Sequence, residues 1–504
     1  MSKVKIIIFV LFCTLFSVSG FSQNTEKKGI DITKLSYENT WASLTKHPYP
    51  AWFQDAKFGI YFHWGVYSVP AFGSEWYPRW MNIDTLVWGA NYYKHHLKKY
   101  GKQSEFGYKD FIPMFKAEKF NADEWAKLFK ASGARFAGPV AEHSDGFSMW
   151  DSKVNPWNAK NMGPKRDIVG ELEKAIRKQG IKFIATFHHQ WEWGWYATWD
   201  KNTDCADPKF EGLYGPKVLP GAFDYANPKP APSLEWYQKW KNKTLEVINK
   251  YEPDMVWFDS RLSFIPDSIK RNLMAYYYNK GLAWNREVTM TYKAEEFPKH
   301  SAVYDIEKGI MDSIVSYPWL TDASIDNKSW CHNEKPVYKS SQKLIAYLIT
   351  IVSKNGQLLL NIPPTPDGKI PAPVEKTLLD IGGWLGVNGE AIYGTRPWTQ
   401  FGEGPTTDSK GDFNDKIPDY TSKDFRFTTK GDTLYAICMT MPTKSQALIT
   451  TLAKNKYSFQ SLELVGYNGK ITYTQNESGV LINLPSKMPS KFAYALRIKG
   501  LVTR

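Results

Sequence analysis

Between residues 50 and 390 short apolar runs alternate with amphipathic ones, the texture of strands followed by crossover helices in a parallel sheet. Six runs read as strands: 58–62, 135–141, 182–187, 255–258, 288–292 and 358–362. Most are apolar on both faces, as strands with helices on one side and a packed interior on the other must be. The helices between them carry their own punctuation. Asn121 offers a side-chain N-cap, Asp123 and Glu124 place acids in the first turn, and Gly133 stands where that helix must stop. Residues 167–180 repeat the plan, and 233–250 form a longer amphipathic helix ending before Tyr251-Glu252-Pro253. The expected architecture is a (β/α)8-like barrel, which about 250–400 residues suffice to build.

After Thr395-Arg396-Pro397-Trp398 the texture changes. Residues 401–422 read as a loop rich in Gly, Pro, Thr and Asp. Short alternating strands follow at 425–428, 433–439, 447–450, 461–465, 470–475, 479–484 and 492–498, a spacing that implies a β-sandwich. The chain therefore divides into a barrel over 23–395 and a sandwich over 396–504. Residues 1–22 read as a signal peptide: Lys3 and Lys5, an apolar run over 6–16, then Ser17-Val18-Ser19-Gly20. That run is too short for a permanent span, and Cys13 lacks the small residues of a lipid-anchor site. A soluble, exported protein, periplasmic or extracellular, is expected.

Composition narrows the partners. Lysine and arginine exceed acids, giving a formal charge of +13. Loss of the segment holding Lys3 and Lys5 leaves about +11, which favours anionic partners. The lysines are scattered and form no basic block, which disfavours nucleic acid. Outside the leader, Cys205, Cys331 and Cys438 are far apart and without metal-ligand spacing, so at most one disulfide can form.

Candidate chemistry gathers at strand ends. The run 58–62 stops at His63-Trp64-Gly65, and a loop then presents Glu75-Trp76. His143, His188 and His189 follow two other strands, and Asp259 ends Trp257-Phe258-Asp259. Singly, each has an ordinary reading as a core histidine, a turn cap or an N-cap. In a parallel barrel, however, those strand ends converge on one pocket. Polar groups beside aromatic faces suit a sugar, with its hydroxyls and its C–H face. Trp191, Trp193 and Trp195, at alternate positions with Trp199 beyond, read as a platform for the leaving group. Paired carboxyls point to glycoside hydrolysis without a cofactor. Metal-assisted hydrolysis would use the histidines as ligands, but His63 is not part of a His-x-His pair, so no metal is expected.

At these residues the sequence resembles glycoside hydrolase family 29, the α-L-fucosidases. The matching segments are 52–65, Glu75-Trp76-Tyr77, His143-Ser144-Asp145-Gly146-Phe147 with Trp150-Asp151-Ser152, 253–259 and 353–361. The resemblance implies a retaining exo-α-L-fucosidase acting on fucosylated glycans, and the charge of about +11, the lysine-rich surface and the smaller Ser144 extend the expectation to fucose-containing polysaccharides, sulfated ones included. It implies Asp259 as nucleophile and His63, Glu75, Trp76 and His143 as sugar binders. His188, His189, Trp257 and Trp191 are added as further substrate-binding candidates. Two departures stand out. Ser144 replaces a histidine common in the family's motif, so that either the site accepts a substituted fucose or His188 or His189 fills the gap. The acid/base motif is absent, so Glu307 is taken for that role, because the strand-like run 302–304 precedes it. Glu295 and Glu296, in an apparently solvated loop, are the alternatives. A non-catalytic fucose-binding barrel is the rival reading.

Overall fold

The computed structural model describes residues 36–442 and 444–504; the expected signal peptide lies outside the described residues. Eight parallel strands close into a barrel: β1 (Phe58–Phe62), β2 (Phe136–Glu142), β3 (Lys182–Phe187), β4 (Met255–Phe258), β5 (Thr289–Tyr292), β6 (Val303–Glu307), β7 (Trp319–Ser324) and β8 (Gly356–Ile362). The seam is β1 against β8, running from Phe58 opposite Leu358 to Phe62 opposite Ile362. Five expected strands coincide with β1 to β5 and one with β8. β6 extends the short run at 302–304, and β7 was not anticipated. Its sequence, Trp-Leu-Thr-Asp-Ala-Ser, reads as polar, yet every residue in it is buried.

Side chains alternate across each strand, as the pleat demands. On β1, Phe58, Ile60 and Phe62 face the helices, while Tyr61 points inward to join Phe136, Val140, Ile184, Met255, Trp257, Leu320 and Leu359. These inward residues fill the barrel as a packed core. The expected caps form: Asn121, Asp167 and Ser233 each accept a backbone N–H in the first turn of the helices Ala122–Ala131, Ile168–Lys178 and Leu234–Tyr251.

After the barrel come strands β9 (Arg396–Glu403), β10 (Phe425–Lys430), β11 (Thr433–Cys438), β12 (Gln446–Ile449), β13 (Tyr457–Ser458), β14 (Ser461–Leu464), β15 (Thr472–Asn476), β16 (Gly479–Asn483) and β17 (Tyr494–Lys499). A five-stranded antiparallel sheet, β14-β17-β11-β10-β9, packs on the three-stranded sheet β12-β16-β15 through Phe425, Phe427, Leu434, Ile449, Val480 and Ile482. The other face of the larger sheet, with Tyr435, Ile437 and Ala495, belongs to the barrel's own cluster. Trp384 Nε1 also donates to the Ala493 carbonyl at 2.8 Å. Cys205, Cys331 and Cys438 are buried free thiols, so no disulfide joins any two of them. Among the described residues no helix is long and apolar enough to cross a membrane.

One buried ion cluster ties the helix Leu234–Tyr251 to the loops after β2 and β3. Lys243 Nζ donates to Glu142 and, at 2.8 Å, to Glu192, with almost no solvent access. Burial alone would protonate Glu142, but the Lys243 cation overrides it and keeps that carboxylate charged. Burial, and then the charge of Glu142, leave Glu192 protonated. Lys243→Met would strand a buried charge, a change that costs about 3–5 kcal/mol. Denaturant unfolding is expected to show that loss; a variant within 1 kcal/mol of wild type, on the order of a surface change, would refute the role.

Candidate active site

The C-terminal ends of the strands open into a cavity of about 1510 Å³. β1 delivers His63, whose Nδ1 lies 2.9 Å from Asn361 Oδ1. The Asn361 amide is oriented by its own donors, Nδ2 to Ser324 Oγ at 3.0 Å and to the Trp330 carbonyl at 2.6 Å. Its oxygen therefore faces His63, so Nδ1 carries the proton and Nε2 is left as an acceptor. His188 Nε2 lies 3.2 Å from it and donates. His143 stacks on His188 with ring centroids 4.6 Å apart. Burial lowers the pKa of all three, His63 to about 3, so they are neutral and can both donate and accept. His143 Nδ1 and His188 Nδ1 have no protein partner. Glu75 accepts from the Trp330 N–H at 3.2 Å, and burial raises its pKa. Trp76, Trp191 and Trp257 complete this wall.

The three imidazoles offer atoms within 4.8 Å of one another, the spacing of a metal site. Ligand histidines ordinarily donate their other ring N–H to a carboxylate or carbonyl. His63 finds an amide oxygen there, but His143 and His188 find nothing, so the set suits sugar hydroxyls better than a cation.

The other half of the pocket is charged. Lys293, one residue past β5, places Nζ 2.7 Å from Glu307 Oε2, 3.3 Å from Asp259 Oδ1 and 3.2 Å from Asp322 Oδ1. The first two distances cap the separation of the Glu307 and Asp259 oxygens at 6.0 Å. Burial would neutralise Lys293, but the three carboxylates hold it charged. Burial pushes Glu307 up to about 7, helped by Asp322 and Asp259 against the pull of Lys293. Asp259 is also raised by burial, with Lys293 opposing. Behind them Tyr61 donates to Asp322 at 2.9 Å and Trp257 Nε1 to Asp305 at 2.7 Å.

Of the expected site residues, His63, Glu75, Trp76, His143, His188, Trp191, Trp257, Asp259 and Glu307 all line the cavity. His189 does not. It turns outward, stacks on Trp240 and lies 3.0 Å from the Trp240 carbonyl, because consecutive residues at a strand end point to opposite sides. Glu296 is not solvated: it is buried, and its Oε1 accepts from the Arg261 and Leu262 N–H groups at 2.6 and 2.8 Å, fixing the turn after Asp259. Glu295 is exposed and outside the cavity. Trp193 and Trp195 are buried in the core, so the alternating platform reduces to Trp191. Lys293, Asp305 and Asp322 were missed. Lys293 directly follows the strand run 288–292, so the reasoning that found His63 applies equally to it.

The α-L-fucosidase family model matches residues 25–390, and the model of the α-L-fucosidase C-terminal domain matches 418–499. The chain belongs to the α-L-fucosidase family. Curated relatives include the tissue α-L-fucosidases of Bos taurus and Homo sapiens, each 31% identical, with 92% of this chain and 92% of the relative covered. Among solved structures, the α-fucosidase of Thermotoga maritima is 27% identical with a TM-score of 0.72, covering 92% of this chain and 100% of that one. The same protein in complex with fucose gives a TM-score of 0.70 at 26% identity. α-L-Fucosidases are glycoside hydrolases, and a non-catalytic barrel or a metal-dependent hydrolase is not favoured for a member matched over both of its family models.

The hub makes a checkable demand. Lys293 pulls the pKa of Asp259 and Glu307 down, so in Lys293→Met both carboxyls should titrate at higher pH. Carbon-13 NMR of the labelled carboxyl groups reads the shift directly, and unchanged titrations would remove Lys293 from its place as their common counter-ion.

Proposed function

We propose that the protein hydrolyses terminal α-L-fucosyl residues with retention, Asp259 acting as nucleophile and Glu307 as acid/base. One observation carries the assignment of this pair: the 6.0 Å ceiling on their separation. Retaining enzymes place the two carboxyls about 5–5.5 Å apart, whereas inverting ones need about 6.5–9.5 Å to admit a water. Asp259 attacks the anomeric carbon and forms an ester as the glycosidic bond breaks. The departing oxygen takes the Glu307 proton. Glu307, now a carboxylate, removes a proton from water, which attacks the same carbon, releases fucose and restores Asp259. His63, Glu75, Trp76 and His143, with His188, would hold the sugar hydroxyls, and Trp257 its apolar face.

The substrate follows from charge as well as shape. Seven carboxyl groups and four lysines line the cavity. That excess of acids opposes a sulfate on the bound fucose, although the net positive charge of the chain would attract an anionic chain from a distance. Neutral fucosylated glycans are therefore the favoured class. Export is proposed from Lys3, Lys5 and the apolar run that follows them, and N-terminal sequencing of the secreted protein tests it.

Turnover of 4-nitrophenyl α-L-fucoside is the primary test. Asp259→Ala should lose activity by on the order of 10⁴-fold or more while keeping its melting temperature. Glu307→Ala should lose about 10²–10⁴-fold on glycans, far less on the nitrophenyl substrate, and recover with azide. Glu307 must be protonated to act, so the wild-type rate should fall as pH rises through about 7, and Glu307→Ala should lack that limb. Wild-type activity in Asp259→Ala ends the assignment. On matched oligosaccharides, kcat/KM should be higher for the desulfated form at both low and high salt; a preference for the sulfated form would reverse the substrate reading.

A further inference from the structure

The segment between β9 and β10 does not behave as a free linker. Lys354 Nζ reaches Asp408 at 2.9 Å, Lys339 Nζ reaches Asp415 at 3.0 Å, and Lys343 Nζ donates to the Ile417 carbonyl at 2.6 Å. Each of these lysines belongs to the barrel half of the chain. At the middle of the segment the Gly411 N–H donates to the Ile310 carbonyl at 3.2 Å, and the Phe413 N–H donates to the Glu307 carbonyl at 2.8 Å. The residue chosen above as acid/base is therefore bound, through its backbone, to Phe413.

Phe413 is costly to hold this way. Its backbone is left-handed, at φ +55°, a region unfavourable to a side chain with a Cβ. Its ring is 72% exposed, so packing returns little, and it lines the cavity. Strain of this kind persists where surrounding contacts impose it, and such positions cluster at ligand clamps. The cavity is also larger than the roughly 300–1,000 Å³ of an ordinary small-molecule site. With fucose on the histidine floor, the leaving oxygen must face Glu307, and whatever it is attached to lies beside Phe413. On the β1 side Trp88, also left-handed at φ +50° and 67% exposed, lines the same cavity.

We propose that residues 404–424 complete the leaving-group subsite, with Phe413 as the aromatic platform for the sugar that the reaction releases and Trp88 as a second face. The occupant is a saccharide that presents a C–H face to the ring, since that face and an aromatic surface exclude water from each other. The inference rests on the reading of Glu307 as acid/base.

Phe413→Gly is the informative variant, because glycine suits the left-handed backbone and removes the ring without harming the fold. Its melting temperature should equal or exceed that of the wild type. On a neutral fucosylated disaccharide kcat/KM should fall about tenfold, the scale of one aromatic contact. On α-L-fucosyl fluoride, whose leaving group has no face to stack, kcat/KM should change less than about twofold on the same scale. Inhibition by free fucose should be unchanged, and Phe413→Trp should retain disaccharide activity. Equal losses on both substrates would make Phe413 a support of Glu307, and no loss on either would empty the subsite; each overturns the proposal. Failure of the wild-type enzyme to hydrolyse the fluoride would instead bring down the hydrolytic reading and this proposal with it.

Discussion

One buried ammonium shared among three carboxylates organises the reactive half of the pocket. Lys293 is kept charged only because Glu307, Asp259 and Asp322 surround it, and its charge opposes the rise that burial imposes on Glu307 and Asp259. Charges left alone at such depth would neutralise instead. The arrangement also depends on barrel closure. Asp259 follows β4, Lys293 follows β5, Glu307 ends β6 and Asp322 lies on β7, so four successive strand ends must meet within one salt-bridge radius. Because one Nζ holds both Asp259 and Glu307, the cation that tunes them also limits their distance apart. The cation thus sets the spacing, while the protonation reflects burial that the same cation opposes.

The remaining strand ends supply the opposite character. β1, β2 and β3 give His63, His143 and His188, which burial keeps neutral. A charged imidazole only donates, whereas a neutral one offers a donor and an acceptor, matching a hydroxyl's own pair. The barrel rim thus carries neutral rings on one arc and charge on the other.

How much of this was legible in the sequence depended on how each residue's signal arose. β1 to β5 and β8 were visible because helices outside and a packed core inside make both faces apolar. β7 was not, since Asp322 serves the hub and gives the strand a polar look. His63, His143 and Asp259 stood out as functional residue types at strand ends, and Glu75-Trp76 in the loop after His63. Lys293 occupies an equivalent position, but a lysine amid 64 basic residues carries no such mark. Glu295-Glu296 read as one solvated pair, although the chain sends one side chain out and the other under the Asp259 turn. Phe413 was hidden by composition: its Gly, Pro and Asp neighbours describe a linker, and only the ion pairs and hydrogen bonds to the barrel show that the segment is fixed.

Ser144 leaves room in the pocket that a neighbouring strand occupies. The resemblance sets a second histidine after His143, on the β2 loop, and this chain has a hydroxyl there. Ser144 Oγ instead donates to the His188 carbonyl at 3.4 Å, and the His188 ring occupies the pocket against His143. A serine is small enough to leave that space, and β3, adjacent in the barrel, is near enough to fill it. The preceding residue is held from behind: Lys243 rises from the helix Leu234–Tyr251 to meet Glu142. The same cation also meets Glu192, just past Trp191, and so braces the β2 and β3 loops that deliver His143 and His188. The third buried imidazole of the pocket thus comes from the end of β3, and one buried cation supports the two loops that carry His143 and His188.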